Sequence, residues 1–363
     1  MRKDENNSAQ MKECLLLNQD REIWPDLLRI IAAFSVIFLH TACSRFWQMN
    51  YSPLSTEFQF CNIYNGISRW NVPVFVMISG VFFLDPHKEY SLKKLYFNKI
   101  FRIATAYLVW AIFYGLVQQY HAHHAIHMKS LIKNIIFGGH HYLWFLFMLA
   151  GLYVATPVLR HVVKNEKVLI YFIILGFITV FCSNILSMMP VVGYPWKSII
   201  DRLDLKLFAG YSTYFLLGYW LTNHKPEKKQ RTIIYVLGTF SVIATVVINS
   251  WLNIRFNKTT DYMFSNLYLN VFLTAVAVFV FFQNFFSERN FSEKQKKIII
   301  ELSRLSFGIY LVHAFVLEYM IGMPRYFIHP AFAVPIISCV TFLISLAIVF
   351  CIDKIPFVRK YAI

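Results

Sequence analysis

The sequence predicts an all-α integral membrane protein, a bundle of about ten transmembrane helices with both chain termini on the cytoplasmic side. Apolar residues make up 57% of the 363 positions, and charged residues make up only 15%. A water-soluble fold of this size would have to bury an implausible amount of apolar surface. Apolar runs long enough to cross a bilayer recur along the chain, and basic residues concentrate in alternate connections between them.

The apolar runs are predicted to cross the membrane because a transmembrane helix needs about 17 to 25 residues. They fall near residues 25–43, 67–84, 100–119, 142–158, 168–186, 207–222, 231–250, 266–286, 298–321 and 331–352. The chain then divides into a cytoplasmic N-terminal tail at 1–22, a membrane domain at 23–355 and a cytoplasmic C-terminal tail at 356–363. We expect no cleavable signal peptide, since the tail lacks an apolar segment before a small-residue cleavage site.

The distribution of basic residues predicts the orientation. If the N-terminus is cytoplasmic, the cytoplasmic segments hold more than twice as many lysines and arginines as the outer loops. The net charge of +16 is therefore explained by topology and by contact with anionic lipid headgroups. Membrane lipids are expected partners, and nucleic acid is not.

The first predicted helix carries ionisable residues at both ends, with Asp26 and Arg29 near one end and His40 near the other. His40 lies eleven positions after Arg29, which is three helical turns plus about 20°. Both side chains therefore point from one face and lie roughly 16 Å apart along the axis. Ionisable side chains are costly inside a membrane and mark functional sites there. A buried neutral imidazole is suited to act as a general base toward a hydroxyl group.

Asp26 and Arg29 are three residues apart, which allows two interpretations. They could form a local ion pair that anchors the helix at the interface. Alternatively, Asp26 orients the Arg29 guanidinium, which then grips a phosphate with its planar fork. His40 could also be a hydrogen-bonded core histidine, but Arg29 on the same face favours catalysis. We predict all three as catalytic residues.

Lys99 and Arg102 begin the third predicted span on the cytoplasmic side and share a helix face at the depth of Arg29. Such residues commonly anchor a helix at the headgroups. Together with Arg29, however, they would form an anion-binding pocket for the phosphates of a cofactor. We therefore predict these three residues as cofactor-binding.

Arg69 and Asn71 precede the second span at its outer end. They are predicted to bind an anionic or sugar substrate, although Arg69 could equally be a headgroup anchor. Within the span, Pro73 predicts a bent helix, and Ser79 with Gly80 predicts a close contact between helices.

A group of histidines lies between the third and fourth spans: His121, His123, His124, His127, His140 and His141. Their spacing is irregular, and no cysteine or carboxylate accompanies them in the sequence. We therefore predict no metal site and no permanently bound cofactor.

His313 and Glu318 in the ninth span are predicted either to pack within the bundle or to support the site. The sequence has no phosphate loop, Gly-rich dinucleotide turn or GxSxG nucleophile elbow.

These motifs resemble the acyltransferase-3 family of multi-spanning bacterial O-acyltransferases. The family signature in the first helix is an arginine followed by ten residues and a histidine, as in Arg29 to His40. Further similar segments lie at 72–80, 99–102, 142–146, 216–219 and 306–313. Among family members, the chain is most similar to the short standalone type typified by the enterobacterial common antigen O-acetyltransferase. One difference is Tyr142, where relatives often carry a histidine; here His141 lies one position earlier.

The resemblance implies a multi-pass protein of a bacterial inner membrane that uses cytoplasmic acetyl-CoA as co-substrate. The acceptor that it implies is a sugar hydroxyl of a lipid-linked or cell-surface glycan. It assigns His40 as the essential catalytic histidine and Arg29 as its essential partner, with Lys99 and Arg102 where donor phosphates are expected. It leaves open whether acetyl or succinyl is transferred, and whether an acyl-histidine intermediate forms.

A transporter or flippase for a lipid-linked glycan or its acyl donor is the alternative function. In that case His40, Arg29 and Arg69 would line a passage through the membrane. The sequence shows no inverted repeat and no pair of broken helices, which favours the enzyme.

Overall fold

A computed structural model describes residues 21–86, 91, 93, 95–123, 127–136, 140–187, 193–203, 210–322 and 327–361. Over these ranges the chain consists of helices and their connections and contains no β-strand. The predicted all-α class is therefore confirmed. The N-terminal tail at 1–20, residues 207–209 of the sixth predicted span and His124 lie outside the described residues.

The described helices overlap every predicted span, but α2 begins eleven residues before the span predicted at 67–84. In chain order they are α1 Trp24–Gln48, α2 Thr56–Phe83, α3 Leu95–Ala122, α4 Met128–Ile136, α5 His141–Val162, α6 Glu166–Leu186, α7 Gly193–Leu203, α8 Tyr211–Asn223, α9 Lys228–Phe256, α10 Leu269–Phe286, α11 Glu293–Ile321, α12 Pro330–Ile352 and α13 Pro356–Tyr361. Within the described ranges, nine of them are long and apolar enough to cross a membrane. The chain is thus a multi-pass membrane protein. The sixth predicted span corresponds to α8, whose described part has only 13 residues but is largely buried inside the bundle.

Helix α1 lies at the centre of the bundle and packs against α2, α10, α11 and α12. Pro25 lies in its first turn, where a missing N–H group breaks no helical hydrogen bond, and Asp26 there faces the positive end of the helix dipole. Trp24, Leu28 and Ile37 are fully buried against the neighbouring helices. The Arg29 and His40 side chains are only partly buried, because they border internal cavities described below.

Helix α2 is interrupted by a turn at Arg69 and Trp70. The bend predicted around Pro73 therefore begins before the proline, which lies in the first turn of the second half.

The second half of α2 contacts α8 backbone to backbone. A Cβ atom built on Gly80 would lie 1.8 Å from the Phe215 carbonyl oxygen, and one on Gly218 would lie 2.2 Å from that of Met77. This contact confirms the close packing predicted at Ser79 and Gly80 and holds the cavity-lining residues of α2 in place.

Two turns of π-helix position polar residues near the cavities. Leu95–Ile100 opens α3 and includes Lys99, and Val316–Ile321 closes α11 and includes Glu318. Such turns shift side chains away from regular helical positions and occur frequently at functional sites.

The connection between α9 and α10 closes the bundle at the end where His40 lies. Asn253 anchors it, since its side chain donates to the Thr260 carbonyl (2.8 Å) and accepts from the Thr260 N–H (2.6 Å). Asn270 donates to the Met263 carbonyl (2.9 Å). These bonds hold Asp261 and Asn266 at the edge of the His40 cavity.

Candidate active site

Two cavities meet inside the bundle. The first, here called the Arg29 cavity, has a volume of about 310 Å³ and is lined in part by Arg29, Lys99 and Arg102. The second, the His40 cavity, has a volume of about 330 Å³ and is lined in part by His40, Arg69 and Asn71. Both cavities share the side chains of Val36, Val72, Phe145 and Tyr310. These four side chains, here called the shared wall, are where the cavities adjoin.

The Arg29 cavity gathers the three cations that the sequence predicted to act together. The Arg29 guanidinium lies over the Phe82 ring, 5.0 Å from its centroid, and Lys99 lies 6.0 Å from the centroid of Phe83. Lys99 and Arg102 are exposed along one edge of this cavity. A set of two guanidiniums and an ammonium group around one cavity is suited to bind phosphate.

Asp26 does not line either cavity. It is fully buried, accepts two hydrogen bonds of 2.9 Å from Arg21, and accepts a third of 2.6 Å from the Ser303 hydroxyl. Its nearest approach to Arg29 is 3.8 Å. Asp26 thus lies behind Arg29, and the ion pair with Arg29 is the longest of these contacts.

A smaller cavity of about 130 Å³ adjoins the Arg29 cavity and is lined by Arg102, Arg304, Asp353 and Arg359, among others. Arg304 donates two hydrogen bonds to Asp353, of 2.6 and 2.7 Å. These bonds hold the pKa of the Asp353 carboxyl below its usual value, so the carboxylate is ionised and offsets part of the basic charge. Sequence reasoning missed Arg304 and Arg359, which come from distant helices.

His40 is paired with a second histidine. Its Nδ1 lies 2.8 Å from the Nε2 of His313 on α11, and the Nδ1 of His313 faces the Tyr310 carbonyl oxygen. A carbonyl oxygen only accepts hydrogen bonds, so this pattern assigns the His313 proton to Nδ1 and leaves its Nε2 as an acceptor. His40 then donates through Nδ1–H, and its Nε2 keeps a lone pair. A base oriented by a second group in this way is a recurring catalytic arrangement.

Tyr142 packs beside this histidine pair, with its ring centroid 4.2 Å from that of His40 and 5.5 Å from that of His313. The Tyr310 hydroxyl donates a hydrogen bond to the Tyr142 carbonyl oxygen. Tyr142, at the position where similar proteins often carry a histidine, is therefore in contact with His40.

Arg69 and Asn71, which the sequence predicts to bind substrate, both line the His40 cavity. Arg69 donates to the Asn65 side-chain oxygen (2.7 Å) and lies over the Phe264 ring, 4.7 Å from its centroid. Asn71 is fully buried, and its side-chain oxygen accepts from the Val72 N–H (2.6 Å). Its Nδ2 is buried and has no hydrogen-bond partner among the described residues.

Helix α11 contributes a polar stripe that sequence reasoning used only in part. Ser303, Ser306, Tyr310 and His313 follow one another at intervals of three, four and three residues. This spacing places all four on one helix face. That face borders the cavities and His40, and the interval pattern was the signal that could have found it.

The prediction that the histidines bind no metal rested on the absence of a carboxylate near them in the sequence. The fold brings a carboxylate close to two of them. Glu318 of α11 approaches the segment that precedes α5, where its Oε2 lies 3.2 Å from the His140 Nε2. His140, His141 and Glu318 form a group whose ligand atoms lie within 4.8 Å of one another. His121 and His127 are not part of this group.

These features define a multi-pass membrane protein in which a basic cavity and a histidine-containing cavity meet inside the helix bundle. A family model described as an acyltransferase domain matches residues 22–352, which is most of the chain. The chain therefore belongs to the acyltransferase-3 family and is a membrane acyltransferase. Neither the characterised proteins nor the solved structures include a significant match to the chain.

Proposed function

We propose that the protein is an O-acetyltransferase of a bacterial inner membrane. It transfers an acetyl group from cytoplasmic acetyl-CoA to a sugar hydroxyl of a lipid-linked or cell-surface glycan. The standalone enterobacterial common antigen O-acetyltransferase is the functional type that it most resembles. The observation that carries this proposal is the junction of the Arg29 cavity with the His40 cavity at the shared wall.

The Arg29 cavity is the donor site in this proposal. Coenzyme A carries several phosphates, and Arg29, Lys99 and Arg102 supply cations around one opening. Arg304 and Arg359 extend the basic surface into the adjoining small cavity. Arg29 and His40 are roughly 16 Å apart along α1, so a donor with its phosphates at Arg29 extends its thioester toward the shared wall and His40.

The His40 cavity is the acceptor site. Arg69, Asn71 and Asp261 give it polar groups of both signs, and the partly exposed indoles of Trp47 and Trp144 form part of its wall. A cavity with aromatic surfaces and a few polar groups is suited to hold and orient a sugar. Its location at the other end of α1 keeps the acceptor apart from the donor phosphates.

The transfer uses His40 as a general base. Its Nε2 takes the proton of the acceptor hydroxyl while the hydroxyl oxygen forms a bond to the thioester carbonyl carbon. The side-chain amide of Asn71, which lines the same cavity, would donate a hydrogen bond to the negatively charged oxygen of the tetrahedral intermediate. Collapse of the intermediate breaks the carbon–sulfur bond, and the proton on His40 passes to the departing thiolate. His313 holds the His40 ring in the required tautomer throughout.

The test follows label from acetyl-CoA, radiolabelled in its acetyl group, into the lipid and glycan fractions of inside-out vesicles. Wild-type protein is compared with His40→Ala and with His161→Ala, whose exposed side chain lies at the end of α5 outside both cavities. Label should enter a glycan fraction with wild type and His161→Ala but not with His40→Ala. Near-normal transfer by His40→Ala would overturn the mechanism, and glycan movement without acetyl consumption would favour a transporter.

A quenched reaction without acceptor separates the two chemical routes. Direct transfer leaves the protein unlabelled, whereas an acyl-histidine intermediate leaves acid-sensitive label on wild-type protein and none on His40→Ala. Replacement of acetyl-CoA by succinyl-CoA in the same vesicles tests the identity of the acyl group.

A further inference from the structure

His140, His141 and Glu318 bring three metal-ligating side chains together at the edge of the His40 cavity. Each offers one ligand atom, and these atoms lie within 4.8 Å of one another. The His140 Nε2 and the Glu318 Oε2 are 3.2 Å apart. His140 comes directly before α5 and His141 is its first residue, whereas Glu318 lies 178 residues beyond His140 in the sequence. The three residues come together only when the chain folds.

The group is held by packing on both sides. The Tyr114 hydroxyl donates to the Leu311 carbonyl (2.7 Å) and accepts from the Phe315 N–H (3.1 Å), at the start of the π-helical turn that carries Glu318. The Tyr114 ring stacks on His140, with centroids 4.6 Å apart and planes at 28°. One tyrosine therefore fixes the positions of both the histidine and the turn.

His140 has an unused hydrogen-bonding nitrogen. Its side chain is only 7% exposed, and its Nδ1 has no partner among the described residues. A buried polar nitrogen without a partner destabilises the folded state. The Nε2 of the same ring faces Glu318, so Nε2 is the nitrogen positioned to bind a metal, and the proton of the metal-bound ring would lie on Nδ1.

The spacing of the group suits a divalent transition metal. Ligand atoms at about 2.0 to 2.2 Å from zinc in a tetrahedral site are roughly 3.3 to 3.6 Å from one another. The His140 and Glu318 atoms, 3.2 Å apart, are close to this spacing, and all the ligand atoms of the group, including that of His141, lie within 4.8 Å of one another. Two imidazoles and one carboxylate form the ligand set of several zinc sites that keep a fourth position open.

We propose that His140, His141 and Glu318 bind a Zn²⁺ ion at the edge of the acceptor cavity. His141 and Glu318 line the His40 cavity, so the fourth position of the metal faces the same space as His40. A water or hydroxyl oxygen occupies that position. A sugar bearing a free hydroxyl can bind there directly, which fixes one of its oxygens relative to His40.

The experiment measures metal binding alone, so its result does not depend on the proposed acyl transfer. Protein with a tag that lacks histidine is purified in nanodiscs, stripped with a chelator and dialysed against buffered Zn²⁺. Bound zinc is then counted by mass spectrometry, and Co²⁺ is substituted to record its visible spectrum. Wild type should retain about one zinc per chain and give Co²⁺ bands of a four-coordinate nitrogen and oxygen site.

Matched variants locate the site. Glu318→Gln and His141→Gln should each weaken zinc binding at least tenfold. Glu166→Gln is the control, because Glu166 forms an exposed pair with His224, 3.0 Å apart, at the other end of the bundle; its zinc content should equal that of wild type. Each variant is checked for a single peak in size exclusion and for its melting temperature.

Two outcomes overturn the proposal. One is wild-type protein that retains no stoichiometric zinc. The other is equal zinc retention by wild type and by Glu318→Gln, which would leave the His140 and Glu318 contact as a hydrogen bond within the protein.

Discussion

Asp26 and Arg29 are linked more closely through Ser303 than through their own contact. The direct distance between the Asp26 Oδ1 and the Arg29 guanidinium is 3.8 Å. The Ser303 hydroxyl donates to Asp26 at 2.6 Å and accepts from Arg29 at 3.3 Å. A serine on α11 therefore sets the position of the arginine on α1.

We expect Ser303→Ala to raise the KM for acetyl-CoA several-fold while kcat stays near the wild-type value. The lost hydrogen bonds contribute about 1 kcal/mol to the position of Arg29, and Arg29 lines the proposed donor cavity. Initial rates in proteoliposomes measure both constants. Ser338→Ala is the control, since this buried serine bonds only to the Val334 carbonyl of its own helix. An unchanged KM in Ser303→Ala would show that Arg29 is held without Ser303.

The histidine pair makes a prediction about kcat. In His313→Ala the His40 Nδ1–H loses its acceptor, so the ring no longer keeps Nε2 free for the acceptor hydroxyl. We expect kcat to fall at least about 100-fold, with little change in the KM for acetyl-CoA. His313→Gln should restore part of the rate, because its amide oxygen can accept the same hydrogen bond. A His313→Ala protein within threefold of the wild-type kcat would exclude this role.

The shape of the Arg29 side chain predicts the affinity for coenzyme A. Arg29→Lys keeps the positive charge but loses the planar fork that binds two phosphate oxygens. We expect binding about tenfold weaker, which corresponds to roughly 1.4 kcal/mol, measured by calorimetry with protein in nanodiscs. Arg359→Gln should have a smaller effect that vanishes at high salt, since this side chain is 60% exposed. Equal affinities for Arg29→Lys and wild type would contradict a bidentate contact.

The contact between α2 and α8 predicts a large difference between two glycine substitutions. A Cβ on Gly80 would lie 1.8 Å from the Phe215 carbonyl oxygen, whereas one on Gly151 meets nothing within 4 Å. Gly80→Ala should therefore lower the melting temperature of the detergent-solubilised protein by several degrees. Gly151→Ala should leave it unchanged or raise it, because alanine favours a helix. If Gly80→Ala and wild type had the same melting temperature, α2 and α8 could move apart without a loss of stability.

The helices were predictable from the sequence because each apolar run reflects a requirement of the bilayer itself. The positions of Arg29 and His40 on one face followed from helical geometry, and both border the adjoining cavities. The sequence predicts α8 as a full span. Its described part has only 13 residues, and close glycine contacts with α2 hold it in place.

The partners of the site residues could not be predicted, since they come from distant parts of the chain. His313 lies 273 residues beyond His40, and no local pattern relates the two. Glu318 reaches His140 through a π-helical turn, which a regular helical periodicity does not represent. Asp26 was predicted as catalytic because Arg29 is nearby in sequence, but its strongest bonds are to Arg21 and Ser303.

The shared wall of Val36, Val72, Phe145 and Tyr310 lies between the proposed donor cavity and the proposed acceptor cavity. An enzyme that receives its donor from one side and its acceptor from the other has openings toward both. A continuous water column between them would leak ions and dissipate the electrochemical gradient of the cell. If the proposed acetyl transfer takes place here, these three apolar side chains and one tyrosine would act as an electrical insulator, which lets a two-carbon group pass while the membrane stays energised.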